Sequence, residues 1–274
     1  MDKEYRTVIE AGKSKVSLNL AELVRYKDLF MILAWRDLKV RYAQTFLGLL
    51  WALLQPLAML LLFILIFGRA LQVETGDVPY PVFALSGMAI WTYFSFVLQQ
   101  SGNSIIGAQE MVKKIYFPRL VIPLSKSITA FVEFSVTFLF LIGMMVYYKV
   151  IPGSEIFYLP LFFLIAVMIS LGSGIWISAL TIRYRDLQHI IPFVVQIGLY
   201  ASPVAYPATM IPEKWKWLYY CNPMAGVIDG FRFSMVGQPL DWNYAGISIA
   251  IGLVLFFTSL FYFKRVERIM ADLV

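Results

Sequence analysis

Long runs without a single Asp, Glu, Lys or Arg divide the chain. They cover residues 42–68, 78–109, 156–182, 187–212 and 242–263, and 127–148 carries one charge, Glu133. A membrane-crossing helix needs about 20 mostly apolar residues. The pattern predicts six spans, near 46–68, 82–107, 124–148, 157–182, 187–203 and 243–263. The fifth is the weakest, because Pro192, Pro203 and Pro207 crowd it. Ahead of the first span, Met31, Trp35, Leu38 and Tyr42 recur at helical spacing while Arg36, Asp37, Lys39 and Arg41 take other faces. This predicts an amphipathic helix over 22–42, lying in the membrane interface after a polar N-terminus at 1–21.

The stretch 203–241 is aromatic and broken by five prolines, Pro203, Pro207, Pro212, Pro223 and Pro239. Trp215, Trp217, Tyr219 and Tyr220 suit a membrane–water boundary. Asp229 and Arg232, three apart, fit a short helix at 225–236, and two short helices dipping back into the outer leaflet fit the segment. Irregular backbone at that depth requires protein or a water-filled cavity around it. The reading is therefore one all-α membrane domain over 1–274, with spans within 46–263 and a tail at 264–274.

Composition agrees: 60% of residues are hydrophobic and 15% charged, against about 25% charged in a soluble domain. A soluble fold of this size could not hide so much apolar surface. The net charge of +6 becomes informative once it is placed. With the N-terminus cytoplasmic, 18 of the 23 Lys and Arg fall on the inside and 5 on the outside. By the positive-inside rule both termini are then cytoplasmic. The longest basic segment faces the membrane, which removes most of the case for nucleic acid. A charged arm before the first apolar run reads against a signal peptide.

Candidate chemistry is sparse. Cys221 is the only cysteine and His189 the only histidine, so neither a disulfide nor a multi-histidine metal site is expected. AGKS at 11–14 lacks the glycine a phosphate loop needs five residues earlier, where Thr7 stands. Gln55 beside Pro56 marks a kinked span with a face toward protein or water. Glu133 is either a proton relay or a structural carboxylate bonded to a neighbour. The short loop AQEMVKKIYFPRLVIP at 108–123 sets Ile115, Tyr116 and Phe117 between charges, the pattern of an exposed partner contact.

Four motifs stand in order: RDLKVRYAQTFLGLLWALLQPL at 36–57, KKIYFPRLVIPLS at 113–125, RYRDLQHIIPFVVQIGLYASPVAYP at 183–207 and NPMAGVIDGFR at 222–232. Together they resemble the membrane subunit of the type-2 ABC exporters of cell-surface polysaccharides, which include the O-antigen, capsule and teichoic-acid permeases. The likeness is closest to the O-antigen type. It implies a homodimer in the bacterial inner membrane, docked to two ATP-binding subunits that hold ATP and magnesium, with no cofactor or catalytic residue in this chain. It implies an undecaprenyl-diphosphate-linked polysaccharide passing between the two permeases.

By the same resemblance, Glu110, Lys113, Lys114, Ile115, Tyr116, Phe117, Pro118 and Arg119 form the coupling element for the ATPase. Arg36, Lys39 and Arg41 are candidates for the lipid diphosphate at the entry, and Phe46, Trp51, Trp91 and Tyr93 for the sugar path. Tyr206, Met210, Trp215, Trp217, Asp229 and Arg232 fall on the outer gate helices. Two rival readings are a permease for a drug or small lipid, and an integral-membrane glycan-modifying enzyme. The second would need clustered acids or a metal motif, and Glu133 stands alone within the spans.

Overall fold

A computed structural model of the chain describes residues 20–42 and 50–268. Phe46, the AGKS string and the end of the predicted tail lie outside the described residues. Among the described residues all regular structure is helical. The 22–42 segment forms two helices, α1 (Leu20–Arg25) and α2 (Lys27–Tyr42), broken at Tyr26. α3 (Trp51–Phe63) carries Pro56 inside it and widens into a π-helical stretch, Ile64–Ala70. α4 (Tyr80–Gly107) is followed by the short α5 (Gln109–Lys114) and then α6 (Val121–Tyr147). α7 (Leu159–Arg183) and α8 (Leu187–Ala201) are joined by a tight turn. Two short helices, α9 (Glu213–Tyr219) and α10 (Pro223–Val236), precede α11 (Trp242–Glu267).

Five helical segments are long and apolar enough to cross a membrane: Trp51–Ala70, Tyr80–Gly107, Val121–Tyr147, Ser154–Arg183 and Trp242–Glu267. These match five of the six predicted spans within a few residues. α8, the fifth predicted span, has 15 residues, short of the usual length. It ends where Ser202 turns into extended backbone ahead of Pro203. α11 runs on into the predicted tail, and Lys264 pairs with Glu267 at 2.8 Å in its last turn.

Helix ends follow local chemistry. Asn222 caps α10 by accepting from the Met224 amide at 3.0 Å, with Pro223 at the first position, where a missing N–H costs nothing. Gly237 closes α10 with φ +68, a left-handed conformation glycine adopts without strain. Asp241 caps α11 through the Asn243 and Tyr244 amides.

α4 is the central post. It packs on α6 and α7, while α7 in turn packs on α11, and α10 wedges among α4, α7 and α11. In lipid the hydrophobic effect does not drive helices together, so small residues and interhelical hydrogen bonds do. Gly172 shows the first device: a Cβ there would lie 2.6 Å from Phe256 Cα of α11. Ser101 Oγ donating to Pro123 O (2.9 Å) and Thr181 Oγ1 donating to Gly102 O (2.8 Å) show the second. α3 and α8 lie at the edge of this block, with Ile191 the one buried residue of α8.

Candidate functional site

Arg41, Gln55, Trp91 and Glu133, each singled out in the sequence, line one cleft of about 420 Å³ between α2, α3, α4, α6 and α8. Its walls carry Gln55, Gln99, Gln100, Gln196, Thr92 and Ser95 beside Trp91, Phe96, Met59 and Met88. Gln55 faces it directly, as the kinked Gln-Pro pair predicts, and Pro56 and Pro192 line it from α3 and α8. Amides and hydroxyls aimed into a cleft between membrane helices offer donors and acceptors that lipid cannot use. Aromatic and thioether surfaces beside them let a flat, hydroxyl-bearing molecule slide. Trp91, a predicted path residue, is on the wall. Tyr93 is not: it is buried in the core, edge-on to Phe163 at 5.4 Å and to Phe134 at 6.3 Å. Trp51 is exposed at the start of α3, and Ala52 takes the cleft position next to it.

At one end of the cleft stand Arg41 and Glu133. Arg41 Nε meets Glu133 Oε1 at 2.7 Å and Tyr42 Oη donates to the same oxygen at 2.6 Å, while the guanidinium lies 4.8 Å from the Phe96 ring centre. Of the two sequence readings of Glu133, the geometry fits the structural carboxylate. One turn back on α2, Asp37 pairs with Lys126 of α6. Two polar clamps thus fasten α2 to α6. Leu33 and Ala34 are buried with the clamps and Tyr42 joins them, while Met31 and Trp35 of the predicted stripe point away from the helix block. A carboxylate buried among helices needs its cation, so the clamps fix which face meets α6. Arg36 bonds Asp37 at 2.9 Å and Lys39 is exposed.

The predicted contact loop divides. Ile115 and Tyr116 are exposed beside Lys113, Lys114 and Glu110, and Lys114 reaches Glu110 at 3.3 Å. Phe117 is buried, against the expected exposure, and Pro118 with it. Arg119 is anchored rather than displayed. Its amide donates to Glu267 Oε1 at 2.8 Å and its Nη1 donates to Glu267 O at 2.9 Å. The end of α11 therefore holds the base of the loop while α5 presents its tip.

At the opposite end α9, α10 and the 202–210 turn form a cap. Met210, Trp215 and Trp217 are exposed on it. Tyr206 donates to Tyr200 O at 2.8 Å. Arg232 is fully buried and serves as a pin. Its Nη2 donates to Val204 O at 2.6 Å, its Nε to Phe83 O at 3.3 Å and its Nη1 to Pro203 O, with the Phe83 ring 3.6 Å away. Asp229 lies 3.8 Å from it and accepts from Tyr220 Oη at 2.7 Å. Burial pulls the Arg232 guanidinium down to about 10, opposed by Asp229 and leaving it a cation at neutral pH. Burial pushes Asp229 up to about 6, against the pull of Arg232 and the Tyr220 bond. On the exposed rim, the hydrogen bond from Lys216 holds Glu213 below the usual carboxylate range and raises Lys216 in return.

Sequence reasoning did not single out Gln99, Gln100 or Gln196. Their signal was present, as amides inside runs otherwise apolar. Among the described residues no group of three or more His, Cys, Asp or Glu could hold a metal ion.

Residues 28–236 match the family model described as ABC-2 type transporter. The chain is 30% identical over 260 residues to the O-antigen export system permease protein RfbA of Klebsiella pneumoniae, covering 94% of this chain and 98% of that one. It is 25% identical over 237 residues to the polysialic acid transport protein KpsM of Escherichia coli, covering 81% and 90%. It is 24% identical to the inner membrane transport permease YadH of Escherichia coli K12, covering 77% and 84%. With several helices able to cross a bilayer and a family model spanning most of its length, this multi-pass membrane protein belongs to the ABC-2 type transporter family.

Proposed function

We propose that the chain is the membrane subunit of an ATP-driven exporter of a cell-surface polysaccharide of the O-antigen type. One observation carries the reading: glutamines and aromatic rings share a cleft between membrane-crossing helices, in a chain that aligns end to end with an O-antigen permease. The substrate travels on an undecaprenyl diphosphate through a seam between two copies, in the inner membrane, with both termini cytoplasmic. α8 completes six crossings per subunit, and α9 and α10 act as outer gate helices. Lys39 and Arg36, near the clamps, are the cations placed to meet the diphosphate. Two ATP-binding subunits supply the ATP and magnesium chemistry and push on α5 and the Ile115–Tyr116 tip. ATP acts by binding one state of the pair better than the other. The resemblance to a polysialic acid transport protein makes a capsule polymer the second reading.

The test is co-purification with the ATP-binding subunit, combined with restoration of surface polysaccharide in a strain lacking its permease. The double variant I115A/Y116A removes two exposed side chains, so folding survives while ATPase association falls. Wild-type chain that neither binds an ATPase nor restores polymer refutes the reading.

A further inference from the structure

The cap encloses a second pocket of about 340 Å³, between the 74–76 loop, the 207–209 turn, α9 and the start of α11. It sits at the small end of the about 300–1,000 Å³ range of ligand pockets, the scale of a sugar unit or a disaccharide. Its polar groups are set by the fold. Gln238 Nε2 is fixed on Thr75 O at 2.8 Å, which leaves its Oε1 available as an acceptor. Asp241 uses Oδ1 for the α11 cap, leaving Oδ2. Glu74 is exposed on the loop, with no ion pair to another described residue. Lys216, tied to Glu213 at 2.7 Å, lines the wall beside the stacked rings of Tyr220 and Tyr244, 5.2 Å apart.

The lining holds the carboxylates of Glu74, Asp229 and Asp241 and the cations Lys216 and Arg232. With Asp229 and Arg232 taken up by the pin and Lys216 by Glu213, the acceptors left over suit a divalent cation or a saccharide. Among the described residues no three acids lie close enough to hold a cation. Acceptors spread around a wall suit a ring that presents hydroxyl donors in several directions, and carboxylates bond such donors strongly. Gln238 and Asp241, preset by their bonds to Thr75 and to the α11 amides, reduce the ordering cost of binding. We infer that this pocket is a saccharide subsite, in which Glu74, Gln238 and Asp241 accept hydroxyls from a sugar unit of the exported chain at the outer cap. The inference rests on the polysaccharide reading above and deepens it.

The test uses the full chain with its ATP-binding partner in nanodiscs. Binding is read by saturation-transfer NMR, with oligosaccharides cut from the host's own surface polymer as the probe. Polymer export is measured in cells in parallel. E74A should weaken binding about five- to tenfold, the loss of one charged hydrogen bond. E74R, which places a long cation in the pocket mouth, should weaken it further than E74A, down to what the cleft beside Gln55 and Trp91 binds, while leaving ATPase association unchanged. Wild-type chain that restores export but shows no oligosaccharide signal overturns the subsite alone. So does E74R that binds like wild type, or a pocket that takes calcium and no sugar. Wild-type chain that restores no export overturns the polysaccharide reading and the subsite with it.

Discussion

Replacing Arg232 tests how the outer cap is held. Its guanidinium fork reaches three backbone carbonyls, Phe83 O, Pro203 O and Val204 O, from a side chain that is 2% exposed. Phe83 O also accepts from Ser86 Oγ at 2.7 Å, so it is Pro203 O and Val204 O that a shorter or apolar substitute leaves unmet. A buried acceptor without a partner costs about 1–3 kcal/mol. Lysine keeps the charge but not the planar fork. R232K leaves at least one of Pro203 O and Val204 O unmet, a loss of about 1–3 kcal/mol. At about 2–4 °C per kcal/mol for a chain of this size, that lowers Tm by about 2–12 °C. R232M strands Pro203 O and Val204 O and also removes the cation beside Asp229. It should fall at least as far, because breaking a buried pair from one side costs about 3–5 kcal/mol. The assay is thermal unfolding of the purified chain in detergent, followed by tryptophan fluorescence. R232M melting within about 2 °C of wild type would refute the pin, since the orphaned carbonyls alone predict a larger drop.

A Cβ on Gly87 would stand 2.5 Å from Arg232 Nη2 and 2.9 Å from Val204 O, so G87A should mimic a partial loss of the pin and lower Tm by several degrees in the same melt. E133A removes the acceptor of both Arg41 and Tyr42; with Arg41 40% exposed, the loss is about 1–3 kcal/mol. E133Q, which still accepts from Tyr42, should lose less, and limited proteolysis at α2 should rank the variants in that order. Asp229 has a folded pKa of about 6, above its ordinary 3.8, so its contribution favours the fold at low pH and is lost as pH rises through about 6. The Tm of wild type relative to D229N should therefore rise on going from about pH 7.5 to about pH 5 in detergent, and an unchanged difference would contradict the shift.

The spans were legible because a bilayer imposes length and apolarity on each helix separately, without regard to its neighbours. Gln55-Pro56 was legible for the same reason, as a polar group and a missing N–H inside one run. What joins elements was not. Glu133 meets Tyr42 across 91 positions, and Arg232 meets Phe83 across 149. No local period encodes such pairs, so Arg232 read as a charge on a short gate helix rather than as a buried pin. α2 shows the same limit: its apolar stripe was legible, but the ion pairs that fasten its other face to α6 were not. Phe117 read as exposed although the loop that carries it is tied down through Arg119 to Glu267, 148 positions away.

The cleft has walls of unequal stiffness. In the membrane-crossing window of α4, 83% of residues are buried inside the chain's own fold, against 22% in that of α3, while α8 contributes a single buried side chain. Local opening costs least where few contacts are lost. One wall is therefore anchored in the core and the others are loosely held, so a change in the width of the cleft costs least on the α3 and α8 side. Under the proposed export of a polysaccharide, tolerance of varied repeats would come from the loose walls rather than from any one contacting residue.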